Sequence, residues 1–147
     1  MASALLLPIK KNVLTASAVA ATASSAAFSL PMADSYDLVL NITSVTGTTP
    51  TMDLVLQTSI DGGTTFVDLP LRYTQKTAAG VAHLVFRLGL GENEVALEQA
   101  GADTGGTLAK NCVFDPQNMK LKYTIGGTNP TFTFTVTAFA LPLGWKK

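Results

Sequence analysis

Apolar and polar residues alternate with a period of two through much of this chain, the pattern of a strand that buries one face. Tyr36, Leu38, Leu40 and Ile42 fall on one face, with Asp37, Val39, Asn41 and Thr43 on the other. Met52, Leu54 and Leu56 repeat the pattern against Asp53, Val55 and Gln57. The intervening Thr46-Gly47-Thr48-Thr49-Pro50 is rich in turn formers, so the two runs read as a β-hairpin. A second hairpin is expected at Asp61-Gly62-Gly63, because consecutive glycines reach the positive φ angles of a tight turn. A strand then follows from Thr65 to Leu69.

Farther along, Val81 to Leu88 reads as a strand, and Met119, Leu121, Tyr123 and Ile125 alternate with Lys120, Lys122 and Thr124. Gly126-Gly127-Thr128-Asn129-Pro130 marks a turn before the clearest run, in which Phe132, Phe134, Val136 and Ala138 alternate with Thr131, Thr133, Thr135 and Thr137. Weaker strand patterns lie at Leu14 to Ala20 and Ala26 to Leu30. Together these predict an all-β fold, an antiparallel β-sandwich or jelly roll of about eight strands. Gly89 to Asp115 is long for a structureless connection, and Glu94 to Ala100 is expected to form one or two helical turns packed over one end. No internal repeat of solenoid period is evident. The organisation expected is an extended N-terminal arm over 1–12, a sandwich domain over 13–140 and a C-terminal tail over 141–147.

Length and composition sharpen this picture. A chain of 147 residues suits one domain, which buries roughly 68–70% of its unfolded surface without help from disulfides or metal. Apolar residues make up 47% and charged residues only 14% of the chain, against about 25% charged in ordinary soluble proteins. Thr, Ser, Ala and Gly take the place of charge, which suits a subunit covered on several sides. Ten basic and ten acidic residues cancel, so no net field attracts nucleic acid. Cys112 has no partner for an internal disulfide and, beside Val113 and Phe114, reads as a buried small hydrophobe.

Lys10 and Lys11 followed by the small, apolar run Val13 to Ala27 superficially resemble a secretory signal. However, Leu5, Leu6 and Leu7 precede the lysines where charge belongs, and Thr and Ser interrupt the run, so an intracellular product is expected. A secreted adhesin or pilus-like subunit is the minor alternative. No stretch reaches the roughly 20 apolar residues of a membrane-spanning helix.

Candidate chemistry is sparse. Ser59-Ile60-Asp61-Gly62-Gly63-Thr64-Thr65-Phe66 resembles the Asp-box hairpin of sialidases and many other β proteins, in which the Asp side chain braces the turn. Asp61, Gly62 and Gly63 are therefore read as a structural turn, and no paired carboxylates of a glycosidase are identifiable. His83 stands in a predicted strand with no ligand at metal spacing. Gly89-Leu90-Gly91 lacks the third glycine of a dinucleotide fingerprint, and no Gly-x-Ser-x-Gly elbow occurs. Glu92, Glu94, Glu98 and Asp103 form an acidic cluster in which a calcium ion is conceivable, although a solvated loop is the simpler reading. No catalytic, cofactor-binding or metal residue is assigned, and the chain is read as a non-enzyme without cofactor.

The terminal segments are more suggestive. Leu5, Leu6, Leu7 and Ile9 lack polar alternation, so a free arm would expose costly apolar surface. Burying such a side chain contributes roughly 1.5–3 kcal/mol. The arm, with Lys10 and Lys11, is expected to dock on a neighbour, the alternative being an edge strand of its own fold. Trp145, after Pro142 and Gly144 and before Lys146 and Lys147, stands where an aromatic anchors an interface or caps its own domain.

The order of these features resembles small β-sandwich virion proteins of tailed bacteriophages, the head-decoration or cement proteins. The likeness rests on Leu14-Thr15-Ala16-Ser17-Ala18, the Tyr36 to Ile60 segment with Val45-Thr46-Gly47-Thr48-Thr49-Pro50-Thr51-Met52, and the Asp61-Gly62-Gly63 hairpin. It continues in the strand after Pro116 that carries Lys120 and Lys122 and ends at Gly126-Gly127. It spans roughly Leu14 to Ala140; the Gly89 to Asp115 segment and both arms depart from the common pattern. The resemblance implies a homodimeric or homotrimeric subunit on the capsid exterior, assembled in the host cytoplasm. Its partner would be the major capsid protein, with no nucleic acid or membrane involved. A phage tail or fibre module binding host-surface glycan is the alternative.

Overall fold

The computed structural model describes residues 9–87, 94–96, 98–100, 108–110 and 114–142; for residue 34, for 94–110 and for 141–142 the description is confined to the backbone. The strands are β1 (Ile9–Val19), β2 (Ala23–Ser24), β3 (Ala33–Ser59), β4 (Phe66–Arg72), β5 (Gly80–Phe86), β6 (Glu94–Ala96), β7 (Glu98–Ala100), β8 (Leu108–Lys110) and β9 (Met119–Pro142). The described residues contain no helix, and the pairing is antiparallel throughout. Seven strands form one sheet in the order β1-β9-β3-β5-β7, with β2 also on β9 and β4 also on β3, while β6 and β8 make a separate pair. The all-β antiparallel reading therefore holds.

Two long strands organise the molecule. β3 has 27 residues and β9 has 24, and they pair from Ala33↔Pro142 to Thr58↔Met119. The Tyr36–Ile60 hairpin expected from the sequence is not formed, since Thr46–Pro50 is a bend inside a continuous strand. Gly126–Pro130 is likewise a bend inside β9. Ladder shifts at Thr46/Thr48 and Thr48/Thr51 mark the place, and such irregularities turn a strand without ending it. Turn-forming residues are needed here because both backbones leave the extended region: Gly47 and Gly127 have φ of 106° and 111°, and Thr49 and Asn129 have 47° and 49°.

The bend divides the ribbon into two halves. One, over 33–46 and 131–142, carries β1 on one side and β5 on the other. The second, over 51–59 and 119–126, carries β2 and β4. Inward residues of both halves meet in one core that includes Leu38, Leu40, Leu54, Leu56, Leu121 and Val136. Tyr123 and Phe134, from opposite halves of β9, meet edge to face with ring centroids 5.6 Å apart. The Tyr73 hydroxyl, just past β4, donates to the Leu38 carbonyl of the other half. Tyr36, Phe86 and Phe114 form a second aromatic cluster, with centroids 5.2 to 5.9 Å apart.

Other expectations are met unevenly. The strand after the Asp61 turn is β4, the Val81 strand is β5, and the Leu14 strand begins earlier, at Ile9. Residues 9–12, read as part of the arm, pair with 137–140. Glu94 to Ala100 is not helical; its described backbone forms β6 and β7, the latter extending the sheet beyond β5. Sheet pairing overrides local helical propensity there. Ala26 to Leu30 makes only an isolated bridge, Phe28↔Met119.

Candidate functional site

The Asp61 turn is a closed hydrogen-bond unit. Ser59 Oγ donates to Asp61 Oδ1 at 3.1 Å and accepts from the Gly63 amide at 2.7 Å. The same Oδ1 accepts from the amides of Thr64 at 3.0 Å and Thr65 at 2.7 Å. These donors, the Thr65 amide first, hold the Asp61 carboxyl below its ordinary value. Gly62 and Gly63 take φ of 79° and 114°. The β3–β4 connection thus uses one oxygen of the carboxylate, Asp61 Oδ1, to brace the turn.

At the other end of the sheet, β1 is an edge strand paired only with β9 among the described residues. Ile9 lies opposite Ala140 and is 46% exposed. Lys10 is exposed, whereas Lys11 extends its ammonium to the Ser29 carbonyl at 2.7 Å. Two ladder irregularities and the left-handed Ala18 (φ 49°) interrupt the strand, and the Ala18 amide bonds to Thr133 Oγ1. Lysines and bulges of this kind discourage indiscriminate pairing at an open edge. Leu5, Leu6, Leu7 and Trp145 lie outside the described residues, as do Cys112, Gly89-Leu90-Gly91 and the side chains of Glu92, Glu94, Glu98 and Asp103.

The outer face of this half was not singled out from the sequence. Phe139, Asp37 and Val85 form one cross-strand row, and Thr137, Val39 and His83 the next. An open depression of about 710 Å³ lies over Val39, Val81, Val85, Phe139, Asp37 and His83. His83 Nδ1 is 3.0 Å from Asp37 Oδ2. The second oxygen, Asp37 Oδ1, is buried and has no hydrogen-bond partner among the described residues. The legible signal was an inversion: three valines and a phenylalanine occupy positions that alternation assigns to the outside. Among the described residues no group of three or more His, Cys, Asp or Glu is placed to hold a metal, and His83 is committed to one carboxylate.

On the other half, Asp68 accepts from Gln57 Nε2 at 2.7 Å and faces Lys122 Nζ at 3.3 Å, and Lys120 lies 4.4 Å from the Phe66 ring centroid. The Gln57 hydrogen bond is the largest influence on the Asp68 carboxyl and outweighs the opposing desolvation, and with Lys122 and Arg72 it holds that carboxyl below its ordinary value. Comparison with protein-family models, with curated proteins and with solved structures found no match to this chain.

Proposed function

We propose that this chain is a structural virion protein that binds the outside of an icosahedral phage capsid and cements neighbouring major capsid protein subunits. The observation that carries this reading is the base of the N-terminal arm. β1 is paired along β9 and fastened through Lys11 to Ser29, and in the sequence Leu5–Leu7 precede its exposed Ile9 with Pro8 between them. An apolar segment issuing from a fixed edge strand is suited to adding to a partner's sheet or filling its groove. In this reading the halves of the bent ribbon are the facing layers of a sandwich. That block is poor in charge and offers copies of itself and the capsid a surface with a small desolvation cost. Many weak contacts in a lattice then combine by avidity.

The experiment is deletion of residues 1–7, which leaves β1 intact, followed by binding to purified expanded capsids. Loss of occupancy and of the added heat stability of the shell is expected. Full occupancy by the shortened chain would remove the arm from the mechanism. A copy number of a few per particle, with the protein located at the tail tip, would favour the glycan-binding module instead.

A further inference from the structure

We propose that the outer face of the β1–β9–β3–β5 half is a self-association surface, on which two copies of the chain stack face to face about a two-fold axis running along β9. Of the capsid reading, this contact rests only on the expectation that copies of the subunit pair, and it concerns the subunit in free solution. The first observation is a contrast within one ribbon. The outer face of the second half is charged, carrying Asp53, Asp68, Arg72, Lys120 and Lys122. The outer face of the first half sets Val39, Val81, Val85 and Phe139 around the open depression. Apolar surface gathered on one face, with polar residues around it, marks a surface that another protein covers.

The second observation, charge complementarity, names the occupant. Lys10, Phe139 and Asp37 stand side by side in one cross-strand row, on β1, β9 and β3. Neighbouring strands lie about 4.8 Å apart, so roughly 10 Å separates the Lys10 and Asp37 backbones, with Phe139 between them. Lys10 is exposed. Asp37 is paired with His83 through Oδ2, while Oδ1 is buried without a hydrogen-bond partner among the described residues. Its charge is under-compensated, and a cation brought over the carboxylate gains accordingly. A two-fold axis along β9 exchanges the strands on either side of it, so it lays Lys10 of each copy over Asp37 of the other, and Phe139 over Phe139. The same operation sets Asn12 over Val39 and Thr15 over Asn41, and no like charges meet. Such self-complementarity is what an isologous contact requires, and the symmetry makes the ion pair twice. An axis along β3 would instead oppose Asp37 to Asp37. Facing sheets pack about 10 Å apart, a gap that a lysine and an aspartate side chain bridge together. Three overlapping strands of about ten residues cover roughly 500 Å² a side, the size of a weak, reversible contact.

Sedimentation velocity of the full chain over a concentration series is the test, and a reversible monomer–dimer equilibrium is expected. Lys10→Glu and Asp37→Lys should each raise the dimer dissociation constant by about tenfold or more, because like charges then face each other. Combining the two restores opposite charges and should return the constant to near that of the unaltered chain. Asp37→Asn, closer in shape to the native side chain, is a second route: joined to Lys10→Glu it should remove most of the repulsion. Phe139→Thr should also weaken association, with the far-UV circular dichroism spectrum unchanged in every variant compared. A chain that stays monomeric at all concentrations would overturn the proposal, as would a dimer insensitive to Lys10→Glu or one that neither double variant recovers. Assembly into trimers would overturn it too, since a two-fold contact does not build them. No capsid is present in this measurement, so its failure and that of the arm deletion are separate results.

Discussion

Thr48 of β3 and Thr128 of β9 are partners at the bend of the ribbon, and each is preceded by a glycine at positive φ and followed two places on by a proline. The two corners make room for each other. A Cβ on Gly47 would lie 2.7 Å from the Asn129 carbonyl oxygen and from Pro130 Cα, and one on Gly127 would lie 2.6 Å from the Thr49 carbonyl oxygen.

Gly47→Ala and Gly127→Ala should therefore each cost about 2–5 kcal/mol, the sum of backbone strain and overpacking. Gly62→Ala is the control, because its φ is 79° but nothing lies within 4 Å of the added carbon. It should cost only about 1–2 kcal/mol. Urea unfolding of the three variants checks the order, and equal losses would contradict mutual clearance at the bend.

Asp61 makes stability depend on pH in a defined direction. Its carboxyl is held lower in the folded chain than in the unfolded one. The associated stabilisation is present above the unfolded value of about 3.9 and is lost as pH falls through the lower folded value. Asp61→Asn should flatten the acid limb of a plot of unfolding midpoint against pH. An acid limb identical to that of the unaltered protein would show that the turn carboxylate does not contribute to it.

Phe134 is fully buried and touches Tyr123 across the bend. Phe134→Ala should remove about 3–5 kcal/mol through lost burial and the cavity left behind. Thermal unfolding measures this, and a loss below 1 kcal/mol would mean that the two halves are not packed through this ring.

Lys122 is paired with Asp68 in an exposed setting. Lys122→Met should change stability by less than about 1 kcal/mol, since such pairs are screened by water and salt. The same denaturant titration checks the size, and repeated at high salt it should show the difference shrinking further as the pair is screened.

Local alternation made the strands around Leu38, Leu54, Leu121 and Phe134 legible, and the glycines after Asp61 made their turn legible. Connectivity was not, because glycine and proline serve both a chain reversal and a bend shared by two strands. The distinguishing signal was present but unused: Gly47-Thr48-Thr49-Pro50-Thr51-Met52 and Gly127-Thr128-Asn129-Pro130-Thr131-Phe132 are versions of one string. Each is followed by alternating inward residues, Leu54 and Leu56 in one case, Phe134 and Val136 in the other. Two strands bent at matching points pair most simply with each other. The outer face around Asp37 was missed for a different reason. Single valines on outward positions are unremarkable alone, and only the cross-strand register brings Val39, Val85 and Phe139 together.

The placement of β9 also bears on how the polypeptide is made. It is the shared neighbour of β1, β2 and β3, yet it is translated after all of them. During synthesis the earlier segments therefore wait without their principal partner, with apolar faces and strand edges uncovered, until residues 119–142 clear the ribosome. Acquisition of the native state is then a late event that closes long loops in a single step, a regime in which β proteins fold slowly and nascent chains rely on chaperones.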